Sequence, residues 1–156
     1  MTLRVPILPG DVESDRGIAP SLSQARELAA SRAPVYDLAV AAARGAASKT
    51  DEEIRLLDVG SLLGITDYFV VSAGRNDRQV RAIVDEVTRQ VASAGGTSMR
   101  RVEGLAAAEW VLVDYGSFVV HVFDVETRER FGLERLWADA PTVAWEPLRE
   151  PHAVEG

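Results

Sequence analysis

The sequence predicts an α/β fold, a mixed β-sheet with packed helices, and three observations carry that prediction. Residues 54–59 (IRLLDV) and 68–72 (YFVVS) are nearly continuous apolar runs, as expected of strands covered on both faces. Residues 77–94 repeat their apolar side chains at helical spacing. Residues 110–115 and 118–124 are two further strand-like runs around a Gly-Ser pair. Strands interleaved with helices and ending in a hairpin imply a mixed sheet with helices lying on it.

Taken in order, residues 1–20 hold Pro6, Pro9, Gly10, Gly17 and Pro20 without a hydrophobic period, so a disordered leader is expected there. Residues 21–33 suit a short helix on Leu22, Ala25 and Leu28, making 1–33 a disordered or partly helical leader. Pro34 then suits the first turn of a new helix. Val35, Leu38, Ala39 and Ala42 share one face of it, and it is expected to end near Gly45 to Lys49. The two strands at 54–59 and 68–72 are joined by GSLLGITD, read as a loop with two glycines. In the helix at 77–94, Val80, Ile83, Val84, Val87, Val91 and Ala94 form the apolar stripe. Asn76 can cap it with Gln79 in capping-box position, and Gly95-Gly96 end it. Asp77–Arg81 and Asp85–Arg89 are expected i,i+4 pairs. Residues 99–103 suit a short strand, and Gly116-Ser117 a type II′ hairpin turn. A helical stretch is expected from 126 to 139, stopped by Pro141, followed by an extended tail over 141–156. The expected domain is therefore 34–140.

Composition excludes several kinds of chemistry. The 156-residue chain has no cysteine, which removes disulfides, thiolate catalysis and cysteine zinc sites. His121 and His152 are its two histidines, too few for an ordinary zinc site. Magnesium on carboxylates stays open, and no resident metal or cofactor is expected. No apolar run approaches the ~20 residues of a membrane-spanning helix, and the first residues mix acids with arginines, unlike a transit peptide. A cytoplasmic location is expected. Net charge is −7: residues 1–34 are neutral, 35–140 carry twelve basic and seventeen acidic side chains, and 141–156 contribute −2. Direct nucleic-acid binding normally needs a basic face. An acidic domain instead suits a basic protein partner, met faster through electrostatic steering.

Three patterns invite a catalytic reading. Gly60 to Phe69 (GSLLGITDYF) places a Gly-Ser turn ahead of an aspartate, as in nucleotidyltransferases. Shared metal binding needs acids at i and i+2 of a strand, and Phe69 stands two residues after Asp67. A divergent magnesium-dependent nucleotidyltransferase using Asp67, with Asp58 from the preceding strand, is the alternative reading. His121 lies mid-strand near serines but without a nucleophile elbow, which favours a histidine hydrogen-bonded within the sheet over a triad base. Arg75, Arg78 and Arg81 crowd a helix start, yet Asp77 and Asp85 share that face, as on a solvated surface. Trp110, at a strand entrance, is equally suited to capping a core and to anchoring an interface.

From residue 57 to residue 141 the chain closely resembles the ribosomal silencing factor (Iojap-like) family. The matching stretches are LDVGSLLGITDYFVVSAG, NDRQVRAIVDEV, VEG, WVLVDYGSFVVHVFD and LERLWADAP. The resemblance implies a nucleotidyltransferase-like topology without the catalytic acids, and hence no enzyme. It implies a homodimer when free, and binding to the large ribosomal subunit at the ribosomal protein numbered fourteen. Subunit joining would be blocked sterically, repressing translation with no chemical step. It places Trp110 in the partner-contacting surface, with Tyr115 beside it and Glu103, Gly104 and Asp114 around it. Trp110→Ala is then expected to weaken ribosome binding and leave the fold intact. Asp67 and Tyr68 match the family's ITDYF stretch in structural roles. Ser117 stands where the family often has aspartate, and Gly132 where an aromatic is usual, which is expected to loosen the packing of the C-terminal helix.

Overall fold

Ser21 opens the first element by reciprocal capping: its hydroxyl accepts from the Gln24 backbone N–H while the Gln24 side chain accepts from the Ser21 N–H. The resulting helix α1 (Leu22–Ala47) runs straight through Pro34. Two helices divided at Pro34 were expected, and the structure corrects this to one. Proline inside a helix removes a hydrogen bond and costs about 3 kcal/mol, but Pro34 is exposed. The apolar face C-terminal to it, with Ala39, Ala42, Ala43 and Ala46 fully buried, holds the helix down. The computed structural model describes residues 21–96 and 99–146; the expected leader over 1–20 and the tail over 147–156 lie outside them.

Strands β1 (Arg55–Asp58) and β2 (Tyr68–Gly74) fall where the apolar runs placed them. The segment between them, expected as a loop, contains a one-turn helix α2 (Gly60–Leu63). Asp58 Oδ1 accepts from the Gly60 N–H at 3.1 Å and starts that turn. Helix α3 (Asp77–Ser93) buries Val80, Ile83, Val84, Val87 and Val91 of the predicted stripe, while Ala94, expected to continue it, is the exposed C-cap residue because the helix ends at Ser93. Asn76 Oδ1 accepts from the Gln79 N–H at 2.9 Å, but the Gln79 side chain accepts from Arg75 N, one residue before the cap. Asn76→Ala is expected to cost ~1 kcal/mol, read as a small drop in the thermal midpoint; an unchanged melt would show the cap to be idle. The expected i,i+4 pairs are replaced: Arg89 pairs with Glu86, and Arg81 donates to the Ala106 carbonyl. Exposed pairs contribute little, so a carbonyl within reach competes with them.

Strand β3 (Arg101–Glu103) precedes the hairpin of β4 (Trp110–Asp114) and β5 (Phe118–Asp124). Its turn closes with Tyr115 N–H on Phe118 O, and Gly116 at φ +84° holds the first central position, as a type II′ turn requires. The expected single helix over 126–139 is two: α4 (Val125–Phe131) and α5 (Leu133–Leu136). Gly132, left-handed at φ +55°, divides them. The expected loosening is absent, since Leu133 and Trp137 are buried. Glycine here supplies a turn that lets both side chains reach the sheet. Thr142–Val143, within the expected tail, forms β6 on β1.

The sheet order is β3-β4-β5-β2-β1-β6. β2 and β5 are its parallel central pair, with Tyr68 opposite Phe118 and Gly74 opposite Asp124. Alternation along the strands then builds two cores. Leu56, Tyr68, Val70, Val111, Val120 and Val122 face α1 and α3. Leu57, Phe69, Val71, Trp110, Leu112 and Phe123 face the other way, packed with Leu63, Leu133 and Trp137. No helix among the described residues is long and apolar enough to cross a membrane.

Candidate functional site

Trp110 begins β4 because the chain before it turns tightly. Gly104 (φ +83°) and Ala108 (φ +52°) are both left-handed, and Ala108 N–H closes the turn on Gly104 O at 3.0 Å. A Cβ on Gly104 would run into the Trp110 carbonyl oxygen, so only glycine fits there. Glu109 O accepts from the Asp124 N–H at 2.9 Å and ties the loop to the end of β5.

Trp110 itself is 2% exposed. Its indole N–H donates to His121 Nδ1 at 3.1 Å, and its ring lies 4.9 Å from Phe123 and 5.1 Å from Phe131. This corrects the expectation that Trp110→Ala would leave the fold intact, because the ring is core. An accepting Nδ1 makes His121 the neutral tautomer protonated on Nε2. Burial holds its pKa far below the ordinary 6.5, at about 3. Its Nε2 has no partner among the described residues. The Ser72 hydroxyl reaches the His121 carbonyl, not the ring, so the residues do not assemble a triad.

The other expected contact residues are spread out. Glu103 and Asp114 are half-buried and share Arg101, at 3.2 and 3.4 Å, along the β3–β4 edge. Asp114 also accepts from the Gly116 N–H at 2.7 Å. Tyr115 is buried on the opposite face of the sheet, stacked 4.7 Å from Phe118, and burial pushes its phenol above the usual range. Gly104 and Trp110 thus stand together, Glu103 and Asp114 frame the sheet edge, and Tyr115 belongs to the helical side.

What reaches solvent beside Trp110 is Phe131. It ends α4 at 44% exposure and lies against the buried indole, with the Arg130 guanidinium 5.4 Å from its ring. Leu105, in the loop leading into Trp110, is 43% exposed, and Arg81 braces that loop through Ala106 O. The sequence reading missed both residues. The available signal was a lone phenylalanine in the charged run ETRERFG. An exposed aromatic supported by a buried one is the arrangement of an interface anchor.

Catalytic readings gain nothing from the geometry. Asp58 accepts from the Gly60 N–H at the start of α2, and Phe69 is fully buried where a second acid would be needed. Among the described residues no group of three or more histidine, aspartate or glutamate side chains is placed to hold a metal. A cavity of about 610 Å³ between α4 and β1 is lined by Arg55, Arg128 and Arg135 with Glu52, Glu53 and Glu129, a rim with equal numbers of each charge.

The comparisons with known proteins agree with one another. The family model described as "Ribosomal silencing factor during starvation" matches residues 32–155. The ribosomal silencing factor of Bacillus subtilis is 42% identical over 100 residues, covering 64% of this chain and 84% of that one. That of Halalkalibacterium halodurans is 41% identical over 98 residues, covering 63% and 83%. A mouse protein named for mitochondrial assembly of the ribosomal large subunit is 34% identical over 87 residues, covering 54% and 38%. Among solved structures, a Chromobacterium violaceum protein superposes with a TM-score of 0.62 at 30% identity, covering 65% and 84%. One from Bacillus halodurans gives 0.55 at 37% identity, covering 70% and 96%.

Proposed function

Because the chain belongs to the ribosomal silencing factor family, we propose that it represses translation by binding the large ribosomal subunit and sterically blocking its union with the small one. The contact is ribosomal protein fourteen of the large subunit, the protein acts in the cytoplasm as a homodimer when free, and no chemical step is involved. The observation that carries this reading is the exposed Phe131 seated against the buried Trp110, with Leu105 exposed in the loop that leads into that strand. Large apolar side chains at a surface, backed by a rigid aromatic, suit protein docking. The acidic balance of the chain favours a basic partner. In this arrangement Trp110 acts from beneath Phe131, Gly104 shapes the Leu105 loop, and Glu103 and Asp114 supply the charged rim through Arg101. Tyr115 contributes by holding the hairpin.

Sucrose-gradient sedimentation of separated subunits tests the reading. The wild-type protein is expected to travel with the large subunit and to reduce the joined ribosome. Phe131→Asp is expected to melt within a few degrees of wild type yet remain at the top of the gradient, since losing a central anchor costs ~2–4 kcal/mol of binding. A folded Phe131→Asp that still travels with the subunit removes this patch from the interface. Wild-type protein that leaves joining unaffected ends the silencing reading.

A further inference from the structure

We infer that His121 is a positioning residue for the contact patch: its Nδ1 orients the Trp110 indole on which Phe131 is presented. The inference rests on the silencing reading and adds a residue to it. His121 lies mid-strand on β5 opposite Leu112, while Trp110 lies opposite Phe123. The two are therefore diagonal neighbours on one face of the sheet, close enough for large rings to meet. Phe69 meets the imidazole edge-on from β2, centroids 4.6 Å apart at 73°, and Phe123 stacks on it at 6.3 Å. The imidazole is thus clamped before it meets Trp110, and its nitrogen sets the indole's rotation. A continuous row of rings, Phe69, His121, Trp110 and Phe131, leads from the fully buried centre of the sheet to an aromatic 44% exposed.

Packing alone does not call for a histidine here. An apolar ring would fill the same space without a buried donor, and His121 leaves Nε2–H unpartnered among the described residues. Unsatisfied buried donors are destabilising. What the imidazole supplies, and a phenyl ring does not, is an acceptor for the single polar atom of Trp110.

Three single variants of the full chain and one double variant test this, each followed by thermal melting and sedimentation with the large subunit, and the two that keep Trp110 also by its indole N–H resonance. His121→Phe removes the acceptor together with the orphaned Nε2–H, leaving one unsatisfied donor before and after. It is expected to shift the indole resonance and weaken subunit binding at least tenfold while the melting midpoint changes little. His121→Gln restores an acceptor and is expected to recover most of that binding and of the indole shift. Trp110→Phe deletes the donor from the other side, and adding His121→Phe to it should weaken binding no further, because the two residues act as one unit. This variant also keeps the inference testable if His121→Phe does not fold. Normal binding by His121→Phe, a glutamine variant no better than phenylalanine, or additive losses in the double variant would each overturn the positioning role. Failure of wild type to bind the subunit would overturn the silencing reading itself, and the indole shift in His121→Phe would still report the hydrogen bond.

Discussion

Trp110→Ala is expected to destabilise the protein by about 3–5 kcal/mol, the range for large aromatics cut from a packed core. The indole fills the space between Phe123, His121 and Phe131, and neither strand it touches can close on the void. β4 is held in register with β5 from Trp110 opposite Phe123 to Asp114 opposite Val119. Truncation also removes the donor to His121 Nδ1, so the imidazole loses its polar partner as well as its neighbour. Against a total stability of roughly 5–15 kcal/mol for a typical domain, such a loss leaves a marginal protein. Urea unfolding should show a large fall in midpoint with a similar slope. A midpoint near that of wild type would mean that the indole is not packed as described. Loss of ribosome binding by this variant therefore does not locate the interface, whereas Phe131→Asp, which leaves the core filled, does.

The contrast between Trp110 and Phe131 shows how far a sequence reading extends. The helix over 77–93 and the strands around it were legible because one periodicity, helical or alternating, dominates each segment. The hairpin was legible from Gly116-Ser117. Pro34 misled because its helix is held by tertiary packing on alanines, which local propensity does not register. Gly132 misled in the opposite direction, since the apolar period of Leu133 and Trp137 continues across a left-handed break. Parallel pairing of β2 with β5 is a long-range choice with no local signature. For the site, the family-like stretches pointed to Trp110 and Tyr115, whose side chains the structure buries. Period-two alternation along β4 already places Trp110, Leu112 and Asp114 on one face and Val111, Val113 and Tyr115 on the other. Trp110 and Tyr115 therefore cannot share one contact surface. Both faces are packed, and how much of the Trp110 face reaches solvent depends on where α4 and α5, divided at Gly132, leave Phe131.

Acid is expected to weaken the fold earlier than carboxylate titration would, and His121 is the reason. In the unfolded chain the imidazole takes a proton near pH 6.5, whereas in the folded sheet burial holds it neutral to about pH 3. Between those values the unfolded state binds the extra proton, so stability rises with pH across this window and falls as pH is lowered through it. The full effect, complete only below pH 3, is about 5 kcal/mol, and about 2 kcal/mol is already lost between pH 7 and pH 5. Glu86, held below its usual range chiefly by the hydrogen bond from Gln90, loses its contribution only below about pH 4.5. The interval from pH 7 to 5 therefore isolates the histidine from that carboxylate. Urea titrations of wild type and His121→Phe at pH 7, 6 and 5 make the comparison, because the variant has no group at this position to protonate. Wild type should lose stability steadily across the series while the variant stays nearly level, so wild type falls below the variant toward acid. Parallel curves would show that the imidazole takes its proton equally well in both states, which a fully enclosed ring with Nδ1 committed to Trp110 cannot do without giving up that hydrogen bond.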